Sequence, residues 1–307
     1  MEIVALQIDL ARQKENVSFL KKMADFAVEN GYNTVFLYLE NAVRTEDTAF
    51  FDEAETYSLQ EMAEIVEYME GKGLDVVPAF ENLYHMEKFF RYPQLARFSE
   101  FEDERAEGRG WSPEKYRRGS TGCVSDPEFI AFIDKYVRDV CTVFHSRYVH
   151  MGLDEIFEFA ECGRCKKVLA AGTTKEELFY RHVMHSRELI RSLGREMMMW
   201  DDFFEYFDIV SRLPRDIVFC CWHYGFVADE PKGHWTNRIK RDWLRIYDSL
   251  GFRYLFCCYA NNASSVFNAD TFTAYALKFR PLGALMTTWE KSDRAYNGMF
   301  PCIAYTG

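Results

Sequence analysis

The chain of 307 residues has no apolar run long enough to cross a bilayer, and its start, Met1-Glu2-Ile3-Val4, lacks the basic residues and small-residue cleavage site of a secretory leader. It is also short of positive charge. Lys and Arg number 37 against 48 Asp and Glu, a formal net charge of −11, and no basic stripe is interleaved with aromatics. Nucleic-acid binding is therefore disfavoured, and an acidic chain approaches anionic lipid poorly. Glycine-rich phosphate turns are absent after the first strand-like run, which weighs against a dinucleotide-binding open sheet. A single Cys-x-x-Cys, Cys162 to Cys165, has no second copy at zinc-ribbon spacing. The expectation is a cytoplasmic protein without metal or cofactor. The nine cysteines are an odd number, and Cys220, Cys221, Cys257 and Cys258 lie inside apolar runs, so they are expected as buried thiols without disulfides.

What the chain has in quantity is aromatic residues, 17%, with 27 Phe, 18 Tyr and 6 Trp. Most of these fill a core. The remainder are available to line a cleft for a ring-shaped ligand.

Eight near-continuous apolar runs recur along the chain: Ile3 to Ile8, Thr34 to Leu39, Leu74 to Pro78, Tyr148 to Met151, Glu196 to Trp200, Ile217 to Trp222, Tyr254 to Cys258 and Ala284 to Trp289. Strands apolar on both faces suit a parallel sheet covered on both sides. Helix signals fall between them. Ser58-Leu59-Gln60-Glu61 is a capping box, Asp126-Pro127 an N-cap followed by proline at the first helical position, and Thr173-Thr174-Lys175-Glu176-Glu177 opens a helix closed by Gly194. The alternation predicts an α/β protein, a single (β/α)8 TIM barrel over residues 1–307, with a long rim loop after the third strand at about 81–125. An open doubly wound sheet is the alternative.

In such a barrel the chemistry sits on the residues just past the C-terminal end of each strand. Those positions hold Asp9 and Arg12, Glu40 and Asn41, Glu81 to His85, Asp154 and Glu155, Trp200 to Asp202, Trp222 to Tyr224, Tyr259 to Asn261, and Trp289 with Glu290. Asp154 and Glu155 are adjacent, so both can enter one site only if the strand has already ended, which Gly152 allows. An adjacent pair cannot flank a scissile bond from opposite sides. It suits one acid acting as proton donor and the other steadying a neighbouring substrate group. A helix N-terminus, where acids favour the dipole, is the alternative for the pair. Trp200, Trp222 and Trp289 read either as an apolar box or as core. His85 can tune the acid pair, His150 reads as a satisfied core residue, and His182 and His185 lie on a helical pattern.

These residues in order resemble the catalytic domain of family-20 glycoside hydrolases, the β-N-acetylhexosaminidases, and within it the compact hexosaminidase D type. The hallmark His-x-Gly-x-Asp-Glu stands here as His150-Met151-Gly152-Leu153-Asp154-Glu155. Asp9-Leu10-Ala11-Arg12, Leu39-Glu40-Asn41, Tyr84-His85-Met86-Glu87, Cys123 to Glu128, Trp200-Asp201-Asp202 and Thr288-Trp289-Glu290 extend the match over almost the whole chain. The resemblance implies an exo-acting, retaining enzyme that cleaves terminal N-acetylhexosamine from a glycan or glycoside and needs no metal. Glu155 would be the general acid/base with a raised pKa. Asp154 would orient the substrate's own 2-acetamido group, whose carbonyl oxygen is the nucleophile. Arg12, Glu40 and Glu290 would hold hydroxyls, His85 would pair with Glu155, and the tryptophans would enclose the acetamide and ring. The tyrosine that contacts the acetamide is either Tyr259 or Tyr224, and Asn261 replaces the aspartate of the usual Tyr-x-Asp. A non-catalytic carbohydrate-binding barrel is the alternative function. Linkage, aglycone and oligomeric state are not specified by the sequence.

Overall fold

Each of the eight runs becomes a strand, and each strand pairs in parallel with its sequence neighbours until the last closes on the first. In the computed structural model, which describes residues 1–101, 120–156, 158–228, 241–260, 265–289 and 299–306, the barrel strands are β1 (Ile3–Asp9), β2 (Thr34–Tyr38), β3 (Asp75–Ala79), β4 (Tyr148–His150), β5 (Glu196–Trp200), β6 (Val218–Trp222), β7 (Arg253–Tyr259) and β8 (Gly283–Thr287). The fold is the (β/α)8 barrel that the alternation predicts. The helices are α1 (Val17–Glu29), α2 (Leu59–Gly71), α3 (Pro127–Cys141), α4 (Gly163–Ala170), α5 (Lys175–Ser192), α6 (Trp243–Leu250), α7 (Ser265–Ala276) and α8 (Met299–Thr306).

Why the runs are apolar almost throughout is visible in how their residues divide. One set, including Phe36, Tyr38, Val77, Met198, Trp200, Val218, Cys220, Trp222, Leu255 and Cys257, packs together as one cluster. The alternate set, Val35, Leu37, Val76, Met197, Met199, Phe219, Cys221, Phe256 and Cys258, packs against the helices. Successive side chains point to opposite sides of a strand, so a strand with helices outside and a filled interior favours apolar residues at nearly every position. Each fully buried large side chain contributes about 1.5–3 kcal/mol. None of the nine cysteines forms a disulfide.

The local signals act as their chemistry dictates. Ser58 and Glu61 form the reciprocal capping box that starts α2. The Asp126 side chain accepts from the N–H groups of Glu128 and Phe129 at the start of α3, and Thr174 caps α5. Strand limits differ by a residue or two from those expected: β4 stops at His150 and β8 at Thr287, so Met151 and Trp289 belong to the loops. The repeat also lapses once. Between β5 and β6 the described chain makes only 3-10 turns, Asp202–Glu205 and Val210–Arg212, in place of an α-helix.

The connection after β3 is not an open loop at its stems. Short helices at Glu87–Phe90 and Pro93–Ala96 lead to an antiparallel bridge between Ser99 and Gly122, with Glu100 N donating to Thr121 O at 2.8 Å. Phe51, Phe89, Phe98, Phe129, Phe132 and Tyr136 pack ring against ring beneath it. Most of the phenylalanine therefore serves the core. Of the rim loop expected at about 81–125, residues 102–119 lie outside the described residues. No helix among the described residues is long and apolar enough to cross a membrane.

Candidate active site

β4 is the shortest barrel strand, three residues, tied to β3 by the single register pair Ala79 and His150. Beyond it the chain coils instead of extending. Gly152, Leu153 and Glu155 have φ of 68°, 76° and 51°, all in the left-handed region. The Gly152 N–H donates to His150 Nδ1 at 3.1 Å, and burial pushes the His150 imidazole down to about 3, so it is a neutral acceptor. The coil turns two consecutive carboxylates to the same side: His85 Nε2 lies 3.3 Å from Asp154 Oδ2 and 3.5 Å from Glu155 Oε2. His85 has φ 58° and Glu40, at the end of β2, φ 42°. Non-glycine residues held there cost about 1–3 kcal/mol each and cluster at functional sites, because the surroundings over-determine them.

Glycine at 152 is required twice over. Besides its positive φ, a β-carbon there would lie 2.6 Å from Glu81 Cδ and 2.8 Å from Oε1. Glu81 follows β3 and is buried in the wall behind the acid pair. Burial pushes its carboxyl well above the usual range, and the negative charges of Asp154 and Glu40 push it the same way. The Tyr38 hydroxyl donates to Glu40 Oε1 at 3.1 Å.

Arg12 is fixed by the turn after β1. Asp9 Oδ1 accepts the N–H groups of Ala11 and Arg12, each at 3.0 Å, and Asp9 Oδ2 pairs with the Arg12 guanidinium. Burial works against the arginine's charge, and Asp9, Tyr38 and Glu40 outweigh it and raise its pKa. Its guanidinium carbon lies 5.2 Å from the centre of the Trp289 ring.

The aromatic residues make one continuous wall. Trp200 is 5.9 Å from Trp289, centre to centre, and Trp289 is edge-on to Tyr38 at 5.0 Å. Trp222 lies 4.9 Å from Tyr224, which stacks on Tyr259 at 5.0 Å. The Tyr224 hydroxyl accepts from Thr287 Oγ1 at 2.9 Å and Trp289 Nε1 at 3.0 Å. Burial raises its pKa first, and Asp154 is among the charges that add to it. The wall is anchored to the acid loop through Asp202, whose Oδ2 accepts the Glu155 N–H at 2.9 Å and whose Oδ1 accepts Trp222 Nε1–H at 3.2 Å.

The expected site residues Arg12, Glu40, His85, Asp154, Glu155, Trp200, Trp222, Tyr224, Tyr259 and Trp289 thus sit at the C-terminal ends of the strands. Asn261 and Glu290 fall outside the described residues. His182 and His185 are on α5: His182 is buried, 3.4 Å from Asn82 Oδ1, and His185 pairs with Asp134. Sequence reasoning placed Glu81, Asp202 and Tyr38 at or near strand ends without giving them a role. Their signal was polar character immediately after, or a hydroxyl at the end of, an apolar run.

Among the described residues, two groups of side chains present donor atoms close enough to share a cation: His85, Asp154 and Glu155, and Glu100, Cys123, Cys162 and Cys165. In the first group an imidazole between two carboxylates is equally a proton-transfer assembly, with one carboxyl to deliver a proton and the other to stabilise positive charge.

An eight-stranded barrel whose mouth combines adjacent acids, an imidazole and a tryptophan-rich wall has the form of a glycosidase catalytic domain. The chain belongs to glycosyl hydrolase family 20, whose catalytic-domain profile matches residues 37–295. It is 24% identical over 212 residues to a lacto-N-biosidase of Bifidobacterium bifidum, covering 67% of this chain and 18% of that protein. It is 23% identical over 170 residues to a β-hexosaminidase of Vibrio furnissii, covering 54% of this chain and 26% of that one. The chain therefore spans a minor part of the curated relatives it matches. Among solved structures, it superposes on the β-N-acetylhexosaminidase of Bacteroides fragilis with a TM-score of 0.73 at 17% identity, over 99% of this chain and 66% of that one. An exo-β-N-acetylglucosaminidase of Vibrio harveyi in complex with N-acetylglucosamine gives 0.71 at 14% identity, over 99% and 54%. At these identities the structural likeness establishes the fold.

Proposed function

We propose that the protein is an exo-acting, retaining β-N-acetylhexosaminidase that works by substrate-assisted catalysis. The observation that carries this reading is the coil after β4, which turns Asp154 and Glu155 to one side within 3.3–3.5 Å of the same His85 nitrogen. Neighbouring carboxylates on one side of a sugar leave its opposite face without a protein nucleophile. Family-20 enzymes are among the exceptions to the two-carboxylate scheme in which the sugar supplies it. Glu155 gives its proton to the glycosidic oxygen as the acetamido carbonyl oxygen forms a bond to the anomeric carbon and the bond to the aglycone breaks. Asp154 holds the acetamide N–H and offsets the positive charge of the oxazolinium. Glu155, now a carboxylate, takes a proton from the water that opens that ring, restoring the original anomeric configuration.

His85 positions both carboxyls, and Arg12 and Glu40 hold hydroxyls at the sugar's outer edge. Of the two tyrosines, Tyr224 is the better donor to the acetamido oxygen, because Thr287 and Trp289 anchor its hydroxyl within reach of Asp154's field. Tyr259 backs it by stacking.

The test is hydrolysis of aryl N-acetyl-β-glucosaminides by wild type and Glu155→Gln. Removing a general acid costs roughly 10²- to 10⁴-fold in rate, and the loss should shrink as the phenol becomes a better leaving group that needs less protonation. Near-wild-type turnover by Glu155→Gln on a poor leaving group would sink the assignment. Substrates with a plain 2-hydroxyl should react poorly with the wild type, and equal rates would show a protein nucleophile. Binding of N-acetylglucosamine with no turnover of any glycoside would instead favour a carbohydrate-binding barrel.

A further inference from the structure

Cys123 meets Cys162 and Cys165, which lie 39 and 42 residues further along the chain. Cys162 caps α4 and Cys165 lies in its first turn, whereas Cys123 arrives from the far stem of the β3–α3 connection. Cys123 Sγ is 3.4 Å from Cys162 Sγ and 3.6 Å from Cys165 Sγ, well beyond a disulfide bond, and Cys165 Sγ is 3.1 Å from Glu100 Oε1. One donor atom from each of the four residues falls within 4.8 Å of every other. Zinc bound tetrahedrally by thiolates at about 2.3 Å puts the sulfurs roughly 3.8 Å apart. The spacing observed is close to that, with small adjustment needed.

The surroundings orient these donors. Glu100 is buried, and its Oε2 accepts the backbone N–H groups of Glu161, at 2.9 Å, and Cys162, which leaves Oε1 facing Cys165. The Cys165 N–H donates to Cys162 Sγ at 3.4 Å. Ser125 Oγ is 3.2 Å from Cys165 Sγ. The Arg164 guanidinium, held by Asp126 at 2.8 Å and by the carbonyl of Arg97 at 3.1 Å, stands beside the cluster and offsets its negative charge. Partners that fix a ligand's second oxygen or its sulfur are the outer-shell arrangement of a metal site.

We propose that Glu100, Cys123, Cys162 and Cys165 bind one structural Zn²⁺ ion in a closed tetrahedral site. Soft thiolates with one carboxylate select zinc over magnesium or calcium. With all four positions filled by protein, the ion has no open position for chemistry. Its place in the fold gives it a task. Cys162 follows Glu155 by seven residues on the β4–α4 loop, and Cys123 belongs to the stem whose Ser120 O and Gly122 N bond Met86 N and Leu83 O on either side of His85. The ion would clamp together the two loops that carry His85 and the acid pair.

The sequence signal alone, one Cys-x-x-Cys, pointed to no metal, because the third sulfur precedes it by 39 residues and the fourth ligand is a glutamate. The proposal is independent of the glycosidase reading, since its measurement is metal content. Protein purified without chelator from ZnCl2-supplemented medium should carry about one zinc per chain by mass spectrometry. X-ray absorption should show three sulfurs and one oxygen around it. Cys162→Ser and Cys165→Ser should lose the metal, whereas Cys141→Ala, a buried thiol on α3, should keep it. If the serine variants do not fold, the wild-type absorption spectrum still decides. Wild-type protein that carries no zinc, takes none up from ZnCl2 and shows Cys123, Cys162 and Cys165 as reactive thiols or a disulfide would overturn the proposal.

Discussion

Gly152→Ala puts the smallest possible load on the loop that carries the acids. The added methyl meets two separate obstacles. At φ 68° an alanine is in the left-handed region, a cost of about 1–2 kcal/mol. Its β-carbon would also overlap the Glu81 carboxyl, at 2.6 Å from Cδ and 2.8 Å from Oε1. Glu81 cannot swing into solvent, because it is buried beside Tyr38, Glu40 and Asp154. Overpacking of such a site costs about 1–3 kcal/mol, so the expected destabilisation is roughly 2–5 kcal/mol in all. Glu81→Ala removes the obstacle and leaves the backbone cost. A double-mutant cycle in guanidinium unfolding should therefore show a coupling of about 1–3 kcal/mol between the two positions. If the loop instead yields by moving Asp154 and Glu155, stability is spared and kcat falls, by about 10²-fold for a displacement near 1 Å. Additivity within about 0.5 kcal/mol together with unchanged kcat would refute the claim that Glu81 dictates glycine at this position.

The raised Glu81 pKa has a consequence for stability. The folded state binds this proton more tightly than the unfolded chain, whose glutamates titrate near about 4.3. Its contribution is therefore fully present below that value and is lost as pH rises through the folded pKa. Thermal melts from about pH 4.3 upward should show Glu81→Gln gaining on wild type as pH increases through the folded-state pKa, and a flat difference over the whole range would contradict the burial argument. Asp202→Ala leaves the Glu155 N–H and the Trp222 indole N–H without their carboxylate, which costs about 1–3 kcal/mol for each buried donor stranded. It should lower kcat more than it raises KM, with Asp202→Asn intermediate, and wild-type kinetics for Asp202→Ala would remove Asp202 from the positioning of Glu155.

The barrel was legible in the sequence because covering both faces of a parallel strand leaves a clear trace, eight short runs that are apolar at nearly every position. Its helix starts were legible for the same local reason: Ser58, Asp126 and Thr174 satisfy backbone donors within three residues. The 3-10 turns after β5 were not, since the aromatics Phe203, Phe204, Tyr206 and Phe207 there pack as a core whether or not they lie on a helix.

At the site, residue order by itself determined which side chains stand at the strand ends, because strand termini are set by local pattern. Two carboxylates in succession are fixed by the chain, yet a regular strand would send them to opposite sides. Only the tertiary structure decided that they face one imidazole, through a left-handed coil that no pattern announces. It alone brought Glu81 against Gly152, Asp202 to Glu155, and Glu100 and Cys123 to the Cys162–Cys165 pair. Those contacts join residues separated by up to 71 positions, from 81 to 152. Local propensity acts over a few residues, whereas such contacts exist only once the barrel has closed and set the loops side by side.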